Sequence, residues 1–138
     1  MNRLFLDTSY TIALSSSKDL YHQRAIQLAN IIQEESLRIL TTRAVVLEIG
    51  NALAKEKYRK AGIELLSAIE EDSSIEIIPI SEELYHQALQ LFQQRMDKEW
   101  GITDCISFIV MKAHALTDAL TTDDHFRQAG FKPLLLEN

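Results

Sequence analysis

Leu4-Phe5-Leu6-Asp7-Thr8 and Leu120-Thr121-Thr122-Asp123 are the two stretches on which the fold turns. Each is a short run suited to a buried strand, and each ends directly on an aspartate. If the two strands are neighbours in one parallel sheet, both carboxylates emerge at the same edge. Ligands of such sheets bind beyond the carboxyl ends of the strands. The side chains to inspect are therefore those that follow each strand.

Working outward, short apolar runs alternate with longer helical patterns. Tyr21 to Glu35 reads as a helix, with Ala25, Leu28, Ala29 and Ile32 on one face. Arg38 to Thr41 is a second strand, Ala44 to Lys57 a helix, and Ile63 to Glu71 a further helix. Ile75 to Ile80 is a third strand, which Pro79 pushes toward an edge or a strand end. Ser81 is a good N-cap, with Glu82 and Glu83 in the positive first turn of a helix running to about Gln94. Ile102 to Leu116 is apolar nearly all round and is predicted to be a buried helix. Ala119 to Thr122 is a fourth strand. A short helix from Asp124 to Ala129 stops at Gly130, and Leu134 to Leu136 is the candidate fifth strand. The alternation predicts an α/β protein: a three-layer α/β/α sandwich around a central, mostly parallel sheet of about five strands.

Composition agrees. The chain has 138 residues, near the roughly 150 of one domain. Hydrophobic residues make up 46% and charged residues 25%, which excludes a disordered or collagen-like chain. Four glycines, two prolines and no internal repeat leave no linker, so residues 1–138 read as a single domain. The single cysteine, Cys105, excludes an intrachain disulfide framework. No apolar run approaches the roughly 20 residues of a membrane span, and Leu4 to Leu6 is too short for a signal-peptide core. A soluble, reducing, cytoplasmic setting with no membrane partner is the expectation. A net charge of −6 argues against nucleic acid unless metal ions supply positive charge at the site or basic residues cluster.

Four acids stand out. Asp7 and Asp123 end strands, although aspartate there also serves turns and helix caps. Glu48 lies three after Val45 and four before Ala52, so it shares the inward face of its helix. Such a carboxylate is paired, bound to a metal, or turned out to solvent. Asp104 is the acid that opens the otherwise apolar helix; Thr103 as N-cap with Asp104 favouring the dipole is the alternative. Gathered together, Asp7, Glu48, Asp104 and Asp123 would repel one another and hold protons. Hard oxygen donors without His or Cys suit magnesium or manganese, and such sites run in-line displacement at phosphodiesters.

Leu6-Asp7-Thr8-Ser9, Glu48-Ile49-Gly50-Asn51-Ala52, Ile102-Thr103-Asp104-Cys105-Ile106-Ser107-Phe108 and Thr121-Thr122-Asp123-Asp124-His125-Phe126 resemble the PIN-domain ribonucleases, and most closely the VapC-type toxins of toxin–antitoxin pairs. The resemblance runs end to end with the motifs in the family's order. Trp100 to Phe108 and Ala119 to Phe131 carry it most specifically. It implies a PIN-like nuclease that cleaves single-stranded RNA with Mg²⁺ or Mn²⁺ and leaves a 5′-phosphate. Asp7 and Asp104 would be principal metal ligands, with Glu48 and Asp123 completing the acidic pocket directly or through water. Thr8 matches the small hydroxyl residue that supports the site. Asp124 departs from the basic or polar residue usual at that position, so the fourth acid is assigned to Asp123 because it follows the strand directly. A cognate antitoxin and a homodimer are the implied partners.

The remaining features carry less. Lys55, Lys57, Arg59 and Lys60 cluster just after the Glu48 helix face, and either complement a helix end or, with Arg43, hold an RNA backbone. Cys105 beside Asp104 reads as an inert packed thiol. His22, His86, His114 and His125 lack metal-ligand spacing and read as surface or packing residues. Trp100 and Tyr85 either stack on bases, pack, or line a dimer interface. An aspartyl phosphatase wants Asp where Ser9 stands, and a receiver module wants an acidic pair where Asp7 stands alone. A catalytically inactive PIN-like module that binds RNA or protein is the remaining alternative, and retention of all four acids speaks against it.

Overall fold

The computed structural model describes residues 3–137. Five strands, β1 (Arg3–Leu6), β2 (Arg38–Thr42), β3 (Ile75–Ile78), β4 (Asp118–Leu120) and β5 (Lys132–Pro133), form one sheet in the order β3-β2-β1-β4-β5, with every pairing parallel. β1 is central, and β4 is its direct neighbour: Phe5 pairs with Ala119 and Leu6 with Leu120. The order reverses between β1 and β4, which opens the crevice beyond their carboxyl ends. The expected fold class is the observed one.

Side chains alternate across β1 and divide the core in two. Leu4 and Leu6 join Ile39, Leu120, Ala25 and Leu28 on one face, covered by helices α1 (Thr8–Ser15) and α2 (His22–Glu34). Phe5, Leu40 and Ala119 face the other way, under α3 (Arg43–Ala52), α5 (Glu82–Gln94), α6 (Ile102–Ala113) and α7 (Asp124–Gln128). Helix α4 (Glu56–Glu71) adds Ile69 to this second cluster. Burial of each such large apolar side chain contributes about 1.5–3 kcal/mol.

Local signals set most helix starts. Ser81 Oγ accepts the Leu84 N–H at 3.0 Å and opens α5, as expected. Thr42 Oγ1 does the same for α3 through Val45. Gly130, at φ +95°, turns the chain out of α7 in the left-handed region that glycine tolerates. Helix α6 buries Cys105, Ile106, Ser107, Phe108, Val110 and Met111, while Lys112 and Ala113 at its end are exposed.

Three expected elements need correction, and one helix was not expected. The helix predicted over Ala44 to Lys57 is two elements: α3 ends at Ala52 and α4 begins at Glu56. The chain folds back there, and Gly62 of α4 lies so close to Leu53 that a Cβ on it would come within 3.0 Å of the Leu53 Cβ. Helix α1 carries no readable periodicity, because Thr8, Tyr10, Thr11 and Ala13 are all buried and half of these are polar. Strand β4 stops at Leu120, since the Thr121 and Thr122 groups turn to the site described below. The fifth strand is Lys132–Pro133, just before the predicted Leu134 to Leu136.

Candidate active site

The carboxyl ends of β1 and β4 bring the predicted acids into one cup. Asp7 follows β1 and is 6% exposed. Its Oδ2 accepts the Thr121 hydroxyl at 2.7 Å and the Ser9 hydroxyl at 3.2 Å. Ser9 Oγ in turn accepts the Thr122 N–H, and Thr121 Oγ1 accepts the Asp123 N–H. The end of β1 and the end of β4 are thus laced together by two hydroxyls. Burial pushes the Asp7 carboxyl up to about 6. The Thr121 hydroxyl and the Thr8 N–H pull it down, while the Glu48 and Asp104 charges push it further up.

Glu48 stands on α3. It is exposed, beside the buried Val45 and Ile49, so the inward placement read from the helix pattern is corrected to the rim of the cup. The Thr8 hydroxyl holds its Oε1 at 2.6 Å. Thr8 is thereby tied to the acid group through Glu48.

Asp104 is the third residue of α6. The N-cap is Gly101, where Thr103 was the expected cap, and the Gly101 N–H donates to Asp104 Oδ2 at 3.1 Å. The helix-start reading and the pocket reading of Asp104 are therefore compatible: one oxygen closes the helix, and the other is left for the cup. Burial raises the Asp104 carboxyl above its ordinary range, and the Asp123 charge adds to this; the Gly101 N–H and His125 oppose it.

Asp123 caps α7, its Oδ1 accepting the His125 N–H at 2.8 Å. Asp124 instead ion-pairs with Arg127 at 2.8 Å on the surface.

A pattern links the four acids. In each, the side-chain donors converge on one oxygen: Asp7 Oδ2, Glu48 Oε1, Asp104 Oδ2 and Asp123 Oδ1. No side-chain donor among the described residues reaches Asp7 Oδ1, Glu48 Oε2, Asp104 Oδ1 or Asp123 Oδ2. Glu48, Asp104 and Asp123 are thus each held at one oxygen, and Asp7 receives the Thr8 N–H besides its two hydroxyls. Donor atoms of Asp104, Asp123 and His125 all lie within 4.8 Å of one another. Asp7 and Glu48 stand outside that compact triple but within reach of its field. Open carboxylate oxygens whose charges repel fit a hard divalent cation.

His125 is the residue that the sequence reading missed. Read as a surface or packing residue, it instead places Nδ1 at 3.1 Å from Asp104 Oδ2 and 3.4 Å from Asp123 Oδ1. Its position two after a capping aspartate was the available signal. Ser9 and Thr121 were missed as anchors of Asp7; Ser9 stands two residues after Asp7 and Thr121 directly after β4. Trp100 packs edge-on against Phe108 and donates Nε1–H to Gln128. Cys105 is fully buried, and burial with the neighbouring Asp104 charge pushes its thiol up to about 11.

Of the basic candidates, Arg43 pairs with Glu70 on α4 and is drawn away from the cluster. Lys55 is the N-cap of α4, two residues past the Leu53 C-cap of α3, and Lys57 lies in the first turn of α4. Arg59 folds back on Ala54 O at 2.7 Å. Lys55, Lys57 and Lys60 are exposed and take no ion pair among the described residues.

A parallel sheet that gathers carboxylates beyond its β1 and β4 ends defines an α/β protein with an acidic group compatible with a divalent cation. The sequence profile of the PIN domain matches residues 4–132, and the chain belongs to that family. It is 25% identical over 128 residues to the 23S rRNA-specific endonuclease VapC20 of Mycobacterium tuberculosis strain CDC 1551 / Oshkosh, spanning 93% of this chain and 95% of the relative. The same figures hold for VapC20 of strain ATCC 25618 / H37Rv. The crystal structure of Mycobacterium tuberculosis VapC20, described as a sarcin–ricin loop cleaving toxin, superposes with a TM-score of 0.81 at 23% identity, over 93% of this chain and 95% of that one. Among the described residues no helix is long and apolar enough to cross a membrane.

Proposed function

We propose that the chain is a metal-dependent endoribonuclease that cleaves single-stranded RNA, and that it is the toxin of a toxin–antitoxin pair, built as one nuclease domain over residues 1–138. The observation that carries this reading is the cup itself. Four acids from four separate stretches meet at one sheet edge, each anchored by hydroxyls or backbone N–H groups. The relatives' endonuclease activity supports the same reaction class. Mg²⁺ or Mn²⁺, when bound, supplies Lewis acidity that lowers the pKa of water and offsets phosphodiester charge. Asp7 and Asp104 would be the principal ligands, Glu48 and Asp123 completing the set; the Asp124–Arg127 pair favours Asp123 as the fourth acid.

The chain's own residues do the positioning. Ser9 and Thr121 fix Asp7, Thr8 fixes Glu48, and the helix caps fix Asp104 and Asp123. Water adds at phosphorus, the bond to the 3′ oxygen breaks, and a 5′-phosphate and a 3′-hydroxyl result. Lys55, Lys57 and Lys60 would hold RNA backbone, and Arg43 contributes only if it leaves Glu70. Exposed Leu47 and Ile63 offer apolar surface to the proposed partners, a cognate antitoxin and a second copy of the chain.

The test uses purified protein with labelled single-stranded RNAs, in Mg²⁺ or Mn²⁺ and then in EDTA, with Asp104→Asn beside wild type. Metal-dependent cleavage by wild type alone is the expected result. RNA binding without cleavage on any of several RNAs would leave the inactive binding module as the better reading.

A further inference from the structure

His125 is the one side chain at the cup to which the proposed function gives no role. Its Nδ1 approaches two carboxylates from different elements, Asp104 of α6 at 3.1 Å and Asp123 of α7 at 3.4 Å. In both cases it approaches the anchored oxygen. Asp104 Oδ2 already accepts the Gly101 N–H, and Asp123 Oδ1 already accepts the N–H of His125 itself. A lone pair on Nδ1 would be repelled by both oxygens. A proton on Nδ1 removes the repulsion, and the neutral ring with that tautomer supplies it as well as the charged ring does. If Nδ1 were a metal ligand, the ion would have to share oxygens that already close two helix starts, while the open oxygens went unused.

We infer that His125 is a positioning residue: its Nδ1–H bridges Asp104 and Asp123 and turns their open oxygens, Oδ1 and Oδ2 respectively, toward the cation. The inference rests on the metal-dependent reading above. The ring is well placed for such a task. The next residue, Phe126, is fully buried, with its ring centroid 5.0 Å from Phe108 on α6 and 6.2 Å from Phe5 on β1. The Phe126 N–H returns to Asp123 O at 3.2 Å. Helix α7 is thereby pinned to the same helix that carries Asp104. What the core does for the backbone, the imidazole does for the two side chains. Without it, like charges on two elements face each other with nothing between them, and their mutual repulsion favours splayed rotamers. Groups that orient ligands in this way typically change metal affinity 10- to 100-fold when removed.

The experiment measures Mn²⁺ binding to the full chain by electron paramagnetic resonance, for wild type, His125→Ala, His125→Asn and His125→Gln. Asparagine can place an N–H near the position of Nδ1, whereas glutamine places its amide near Nε2. Expected is a loss of about 10- to 100-fold for His125→Ala, recovery to within a few-fold for His125→Asn, and no recovery for His125→Gln. Melting in EDTA checks that each variant is folded; if His125→Ala is not, the Asn and Gln variants decide alone. Wild-type affinity in His125→Ala, or recovery by Gln and not Asn, overturns the inference. A nitrogen coupling on bound Mn²⁺ that disappears in His125→Asn also overturns it, since the ring would then be a ligand. Absence of Mn²⁺ binding by wild type would overturn the metal reading itself. Wild-type binding that His125→Ala leaves intact removes only the role of His125.

Discussion

The chain carries two clusters of like charge, and the structure treats them in opposite ways. The acid cup is assembled from β1, α3, α6 and the start of α7, and every carboxylate in it is held by hydroxyls, backbone N–H groups or imidazole. The basic run at the start of α4 is continuous in sequence and exposed, and Lys55, Lys57 and Lys60 are held by no ion pair among the described residues. Preorganised charges suit a ligand that demands geometry, such as a small cation. Exposed charges without ion-pair partners suit a ligand that demands only opposite sign, such as a phosphate backbone. An acidic protein can therefore act on RNA without a basic surface overall, provided that its acids are neutralised at one point.

The sharpest way to break this contrast is at Asp104. Asp104→Asn should lower metal-dependent cleavage by at least about a hundredfold, because a ligand should matter no less than the groups that orient it. Activity within a few-fold of wild type, measured on the same labelled RNA, would show that the cup is not the reacting centre.

Next in size is the stability stored against the cup. Asp7 has a folded pKa of about 6 against an ordinary 3.8. The folded state therefore binds the proton more tightly than the unfolded state does. In EDTA this lowers wild-type stability above pH 6, by about 3 kcal/mol at full ionisation, and the loss is recovered as pH falls from 6 to 4. Asp7→Asn keeps an oxygen acceptor for Thr121 and carries no charge. It should melt above wild type at pH 8 in EDTA, and the advantage should vanish near pH 4. Calorimetry across that window checks the sign. Added Mn²⁺ should stabilise wild type more than the variant.

The basic run is predicted to behave differently. Lys55→Glu with Lys57→Glu and Lys60→Glu should weaken RNA binding and flatten its salt dependence by up to about three phosphate contacts. Stability should move by no more than about 0.5 kcal/mol, as for surface changes generally. Filter binding of RNA in EDTA at several salt concentrations reads this directly, and an unchanged slope would take the cluster out of the RNA path.

The smallest effect is expected at Cys105. Although it is next to Asp104 in sequence, its buried thiol should resist alkylation in the folded state, and treated protein should cleave RNA as before. Rapid labelling without unfolding would show that α6 opens more readily than its packing implies.

What was legible in the sequence follows from local causes. The strand that runs into Asp7, the Ser81 cap and the mostly apolar α6 each declare themselves within a few residues. Less was legible where a second element decides. Helix α1 hides because packing on several sides erases its periodicity, and the break after Ala52 hides because Gly62, ten residues on, is what permits the close return. The role of His125 hides for the same reason: its nearest carboxylate partner lies 21 positions away on another helix.

The sequence by itself determined an α/β chain with acids at strand ends and helix starts, because period, caps and strand termini are short-range properties of the backbone. The tertiary structure alone decided that β1 and β4 are neighbours, which oxygen of each acid is tied and which is open, and that an imidazole stands between two of them. Those facts depend on distances between side chains remote along the chain, and only the packed sheet sets such distances.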